Sequence, residues 1–307
     1  MKSIQNLQSI AYSTSLGLAL KGFAEEILCS PSMIKYLGKV QLIFTSPPFP
    51  LNRKKKYGNR QGDEYIEWLA AFAPIFKDYL SDEGSIVLEI GNAWIQGEPA
   101  MSTLALEALL KFLKTGDFKL CQQFICYNPA RLPTPAQWVT INRVRVKDSY
   151  TQLWWMSKTT HPKADNRNVL KPYSPAMIKL LSRQKYNSGR RPSEHSIDAN
   201  SFLKDNKGAI PSNVLTITNT LSKDPYLDYC KKNKLPIHPA RMSADLAAFF
   251  IKFLSDKKDI VMDPFAGSNI TGVAAESLNR RWISIEPNSD YIEGSRSRFS
   301  INSEDEA

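Results

Sequence analysis

Asp259-Ile260-Val261-Met262-Asp263-Pro264-Phe265-Ala266-Gly267-Ser268-Asn269-Ile270-Thr271-Gly272 is the stretch that decides the fold of this chain. Strand-forming residues run into Asp263-Pro264, small residues follow, and an apolar helical pattern begins near Thr271. The order predicts a buried strand over 259–263, a tight turn, and a helix over 271–278. Small residues let a ligand approach the backbone, and a helix start offers it unpaired N–H groups. The next strand-like run, 282–286, ends on Glu286, where a carboxylate can accept both hydroxyls of a ribose. Glycine spacing alone reads equally as a plain strand, turn and helix with a capping Asp263. Asn269 stands where many dinucleotide loops carry another glycine, which argues against a nicotinamide-dependent oxidoreductase.

Upstream, Val40-Gln41-Leu42-Ile43-Phe44-Thr45 is a second strand-forming run, and it stops at Ser46-Pro47-Pro48-Phe49, where two prolines forbid further ladder pairing. A helix follows, with Tyr65, Trp68, Leu69, Phe72, Phe76, Tyr79 and Leu80 on one face and Asp63 as its cap. The pattern repeats as a strand over 85–90 opened by Gly84, a helix over 101–113 and a strand over 118–127. Leu153-Trp154-Trp155-Met156 reads as an antiparallel strand near an edge. Helices over 243–254 and 291–299 bracket the cofactor-like stretch. Alternation of this kind predicts an α/β protein with a mostly parallel sheet covered by helices on both faces.

The 307 residues are 42% hydrophobic, enough for one large domain with an attachment and too apolar for a disordered chain. Forty basic residues against thirty acidic ones leave a net charge of +10, and residues 158–237 hold fifteen of the basic and six of the acidic ones. That stretch is rich in Pro, Asn and Ser and lacks periodicity, so it reads as a loop-rich insert facing a polyanion. The domain expectation is therefore 1–157, an insert at 158–237, a return over 238–302, and a disordered acidic tail at 303–307. Cys29, Cys121, Cys126 and Cys230 have no paired spacing and three sit in or near apolar runs, so they read as buried thiols rather than zinc ligands or disulfides. His161 and His195 are isolated, and no metal is expected. The run 16–20 is too short for a leader and no other stretch is long enough to span a bilayer, so a soluble cytoplasmic protein is expected.

The paired motifs Ser46-Pro47-Pro48-Phe49 and Asp263-Pro264-Phe265-Ala266-Gly267-Ser268 resemble those of the β-class amino-methyltransferases of restriction–modification systems, the cytosine-N4 enzymes in particular. The likeness extends through Arg53-Lys54-Lys55, Tyr57-Gly58-Asn59, Arg145-Val146-Lys147-Asp148, Trp154-Trp155, Ser157-Lys158 and His238-Pro239-Ala240-Arg241, covering about 44–299. It implies a Rossmann-like S-adenosylmethionine-dependent methyltransferase fold, circularly permuted so that the catalytic loop precedes the cofactor loop. It also implies that Asp263, Pro264, Phe265, Gly267, Ser268, Asn269, Thr271, Glu286, His238, Pro239 and Arg241 hold S-adenosylmethionine. Where the family often carries Gly-Asp-Ser against the cofactor adenine, this chain has Gly22-Phe23-Ala24, with Glu25 and Glu26 as nearby substitutes.

An exocyclic base amine is a weak nucleophile because its lone pair is delocalised into the ring. The resemblance makes Ser46 and the Pro47 carbonyl the acceptors that grip its hydrogens, Pro48 a rigid support, and Phe49 a platform for a flipped base. Glu89 is the candidate to receive or relay the amine proton through Ser46; the plainer alternative is a strand-end carboxylate paired with Lys or Arg. Arg53, Lys54, Lys55 and Lys56 follow the catalytic loop as candidate phosphate contacts, and Arg190, Arg191, His195, Lys204 and Lys207 are target-recognition candidates in the insert. The implied partner is double-stranded DNA, with a restriction endonuclease sharing the target without direct contact, and the chain a monomer or weak dimer. An adenine-N6 enzyme of the same fold and a non-catalytic DNA-binding protein are the alternatives. No cysteine occupies a proline-flanked catalytic loop, which argues against carbon-5 chemistry.

Overall fold

The computed structural model describes residues 9–49, 60–198, 200–218 and 224–299. The expected basic run Arg53 to Lys56 and the acidic tail 303–307 lie outside them. In chain order the elements are β1 (Ser9–Ser13), β2 (Gly17–Lys21), α1 (Ala24–Leu28), β3 (Val40–Thr45), α2 (Gly62–Tyr79), β4 (Leu80–Gly91), α3 (Leu104–Thr115), β5 (Lys119–Tyr127) and β6 (Tyr150–Ser157). There follow α4 (Pro175–Arg183), β7 (Gly189–Arg190), β8 (Ser196–Ile197), β9 (Val214–Thr216), α5 (Pro225–Lys232), α6 (Ala244–Leu254), β10 (Ile260–Asp263), α7 (Ile270–Ser277), β11 (Arg281–Glu286) and α8 (Ser289–Arg296).

Nine strands form one sheet in the order β1-β2-β11-β10-β3-β4-β6-β5-β9. Its middle five, β2 to β4, are mutually parallel, while β1 and β6 run antiparallel to their neighbours. Every residue of β3 is buried because both faces are covered. Val40 and Ile43 pack with α1, α2 and α3 on one side, and Leu42 and Phe44 with α6, α7 and α8 on the other. Gln41 and Thr45 are the polar side chains of that strand, and Gln41 lies within its run. The Gln41 amide donates to the carbonyls of Glu83 (3.1 Å) and Leu254 (3.3 Å) and accepts from Ser81 Oγ (3.0 Å), so its burial leaves nothing unpaired.

Several expectations need correction. Asp63 lies inside the first turn of α2, where its charge suits the helix dipole; Gln61 is the N-cap and makes no side-chain cap bond. Strand β6 has neighbours on both sides, because β5 and β9 extend the sheet beyond it. Of the cysteines only Cys230 is buried, and Cys29 is exposed. The β1–β2 hairpin was not foreseen from the run 16–20. Thr14 Oγ1 accepts the Leu16 and Gly17 N–H groups at its turn, and a methyl group on Gly17 would overlap the Trp282 ring, so only glycine fits there. No helix among the described residues is long and apolar enough to cross a membrane.

Asp165–Ser212 is a separate compact unit; β9 and α5 belong to the larger one. Within the smaller unit, Ser174 caps α4 by accepting from Met177 N at 3.2 Å, and Pro175 opens the helix. Its ordered loops contain a Tyr186–Phe202 ring contact of 5.0 Å with Arg191 over Tyr186.

Candidate active site

Asp263 ends β10 and Thr45 ends β3, and these strands are parallel neighbours. Thr45 Oγ1 donates to Asp263 Oδ1 at 2.5 Å, Thr271 Oγ1 to Oδ2 at 2.6 Å, and Phe265 N to Oδ1 at 3.1 Å. Burial pushes the Asp263 pKa up, and these three donors offset part of that rise. The loops that follow β3 and β10 are thereby tied together although 218 positions separate their anchors.

One cleft is lined by both loops, by Ser46, Pro47, Pro48 and Phe49 on one wall and by Asp263 through Ser268 on the other. Thr271, Glu286 and His238 complete it, together with Phe23, Glu25, Arg60, Trp68 and Tyr291. Glu286 is oriented by two backbone donors, Gly267 N to Oε2 and Asn288 N to Oε1, each at 2.9 Å. Burial, and then the nearby Asp263, raise its pKa to about 7, against these two bonds. Gly267 has φ +52°, and a methyl group there would sit 2.9 Å from His238 Nε2, so the turn needs glycine for both conformation and space. His238 packs edge-on to Tyr291 at 4.6 Å, and burial lowers its pKa, favouring a neutral ring.

On the catalytic side, the buried Glu89 carboxylate accepts hydrogen bonds from Ser46 and from Thr151 Oγ1, the latter at 2.9 Å. Burial raises its pKa, against these two bonds and the field of Arg131. Glu89 is therefore joined to Ser46 and makes no direct ion pair among the described residues. The Phe49 ring covers Gly91, where any side chain would collide with it.

Some expected cofactor residues have other work. Asn269 is buried, with its side chain bonded to Tyr12, Gly272 and Ser284. Arg241 donates to Asp224 at 3.1 Å, and neither it nor Pro239 lines the cleft. Asp224 also receives both terminal nitrogens of Arg298 at 3.1 Å, while Arg298 Nε holds the Ser268 carbonyl at 2.8 Å. That clamp, which braces the cofactor-like turn from outside, left no motif in the sequence. Trp68 was missed as a cleft residue because its helical spacing marks it as core. Its Nε1 donates to Glu25 at 2.6 Å and its ring lies 5.5 Å from Phe265. Glu25 thus faces the cleft, whereas Glu26 does not line it. In the smaller unit, Arg190 pairs with Glu194 and Lys207 with Asp205, while Arg191 N bonds the His195 carbonyl and Lys204 is exposed.

The family model described as DNA methylase, of N6/N4 type, matches residues 40–297. The chain is 42% identical to the type II methyltransferase M.PvuII of Proteus hauseri, over 95% of this chain and 86% of that protein. Against the solved structure of the PvuII DNA methyltransferase (cytosine-N4-specific) the TM-score is 0.77 at 35% identity, covering 96% of this chain and 90% of the other. The M1.HpyAVI–SAM complex gives a TM-score of 0.55 at 18% identity over 93% of this chain and 100% of that one, a likeness of fold alone.

Proposed function

Because the chain belongs to the N6/N4 DNA methylase family, we propose that it methylates the N4 amine of cytosine in double-stranded DNA, as the modifying partner of a restriction endonuclease that shares its target. The chain is an S-adenosylmethionine-dependent DNA methyltransferase; the N4 assignment rests on its likeness to the cytosine-N4-specific PvuII enzyme and on Ser46 in place of an aspartate. The observation that carries the reading is the Thr45–Asp263 bond, which sets a Ser-Pro-Pro loop against an Asp-Pro-Phe loop in one cleft.

The cleft suits the cofactor in its donor set and its shape. Glu286 offers a carboxylate to ribose hydroxyls, Gly267 leaves the turn open to close approach, and Phe265 with Trp68 supplies an aromatic wall. Bound there, S-adenosylmethionine supplies a methyl group on an electrophilic sulfonium. Ser46 Oγ and the Pro47 carbonyl accept the two amine hydrogens and turn the nitrogen lone pair out of conjugation. Ser46 in turn donates to Glu89, so the proton released on methylation passes along Ser46 to a carboxylate whose burial makes it a stronger base than usual. Phe49 lies beside the same loop, placed to stack on an extruded base and offset about 1–3 kcal/mol of lost stacking. Residues 165–212 carry target recognition, with Arg190, Arg191, His195, Lys204 and Lys207 as the DNA-reading set.

Digestion of DNA modified by the purified protein should release N4-methylcytosine; N6-methyladenine would move the assignment to the adenine enzymes of the family. Ser46→Ala should lower kcat by about 10²–10³-fold while calorimetry shows unchanged cofactor affinity, since it removes an acceptor used as the amine reacts. Cofactor affinity should rise as pH increases through about 7, where Glu286 ionises and becomes a full acceptor for the ribose. Glu286→Gln should flatten that dependence, and a wild-type affinity constant across the same interval would remove Glu286 from the ribose site.

A further inference from the structure

Residues 128–149, between β5 and β6, form an ordered strap that the catalytic account does not use. Its base is closed by Asn128 N donating to the Ser149 carbonyl at 2.8 Å. Lys147 Nζ donates to the Pro129 carbonyl (2.8 Å) and the Arg131 carbonyl (3.3 Å), and Arg131 donates to the Tyr150 carbonyl (2.9 Å). Arg145 stacks over Trp94 at 3.7 Å and donates to the Pro99 carbonyl, and Asn92 holds Asp148 at 2.9 Å. The strap is thus fastened to the loop after β4, at the strand ends that carry the catalytic site. Arg131 acts electrostatically on Glu89, and Thr151, just past the strap, bonds that carboxylate.

What this scaffold holds outward is unusual. Leu132, Ile141, Val144 and Val146 are 75%, 68%, 62% and 88% exposed, among the most exposed large apolar side chains described. Arg143 is exposed with φ +54°, and Arg143, Arg145 and Lys147 make no ion pair among the described residues. Four basic residues against Asp148 give the strap a net charge of +3. A tethered surface that keeps apolar groups in water beside unpaired cations is built for a partner. The charge, and the strap's place beside Glu89, favour a polyanion whose target atom enters the cleft.

We propose that residues 128–149 are a DNA-docking strap, in which Arg143 meets a backbone phosphate near the target nucleotide and Val144 and Val146 cover adjacent sugar and base surface. This rests on the DNA-methyltransferase reading and adds a contact outside both the catalytic loop and the 165–212 unit. In the proposal Arg145 and Lys147 brace the strap, and Arg143 and Val146 are the side chains free to bind.

The test compares full-length wild type, Arg143→Gln and Val146→Ser in binding a labelled duplex oligonucleotide across a salt series. Arg143→Gln should reduce the slope of log K against log salt by about 0.9, the loss of one phosphate contact. Val146→Ser should weaken binding about fivefold with the slope unchanged, as expected for lost apolar burial. Both variants should bind S-adenosylmethionine like wild type, which shows that the fold is intact. Wild-type affinity and slope in both variants would overturn the proposal, and so would a sedimentation change in Val146→Ser assigning the face to a second copy of the chain. Wild type that methylates no DNA would instead sink the functional reading, a result distinguishable from failure of the strap alone.

Discussion

A buried hydrogen bond from Thr45 to Asp263 governs how the two halves of this protein's site meet. A carboxylate withdrawn from water must be surrounded by donors, and Asp263 draws them from three places: the end of β3, the turn after β10, and the start of α7. The same atoms that make its burial tolerable therefore set the position of the turn and the distance between the loops. Parallel pairing of β10 with β3 supplies the coarse placement, and this bond supplies the fine one.

Sheet order turns that constraint into a line of chemistry. Glu286, Asp263, Ser46 and Glu89 lie at or near the carboxyl ends of β11, β10, β3 and β4, which are consecutive strands. In the proposed reading the sequence across the sheet runs from ribose acceptor, to turn anchor, to amine acceptor, to proton acceptor. The three carboxylates are held by backbone or hydroxyl donors, and Ser46 is itself one of the donors to Glu89, so the line is organised before any ligand arrives. The covered faces of β3, with Phe44 against Phe250 on one side and Ile43 within the α1 to α3 layer on the other, keep the strand from shifting under the loop.

Much of this was legible in the chain because strand, proline turn and small-residue turn are local signals. Val40 to Thr45 and Ser46 to Phe49 announce a strand and its forced end, and Asp263 to Gly272 announce a turn and a helix. What was not legible depends on distant partners. Gly17 matters because Trp282 lies over it, Trp68 faces the cleft although its spacing is that of a core residue, and Arg298 reaches both Asp224 and Ser268. Asn269 shows the reverse case: a motif position whose side chain is fully engaged with Tyr12, Ser284 and Gly272. Exposed apolar residues such as Val146 are equally silent in sequence, since their exposure depends on where the backbone places them.

The most direct measurement of the central claim is a double-mutant cycle of Thr45→Val and Asp263→Asn, read in kcat/KM for methyl transfer under conditions where every variant is folded. Coupled loops predict that the two losses fail to add by about 0.5–3 kcal/mol. Additivity to within about 0.3–0.5 kcal/mol would contradict the account, because it would mean that the two loops act without the bond that joins them.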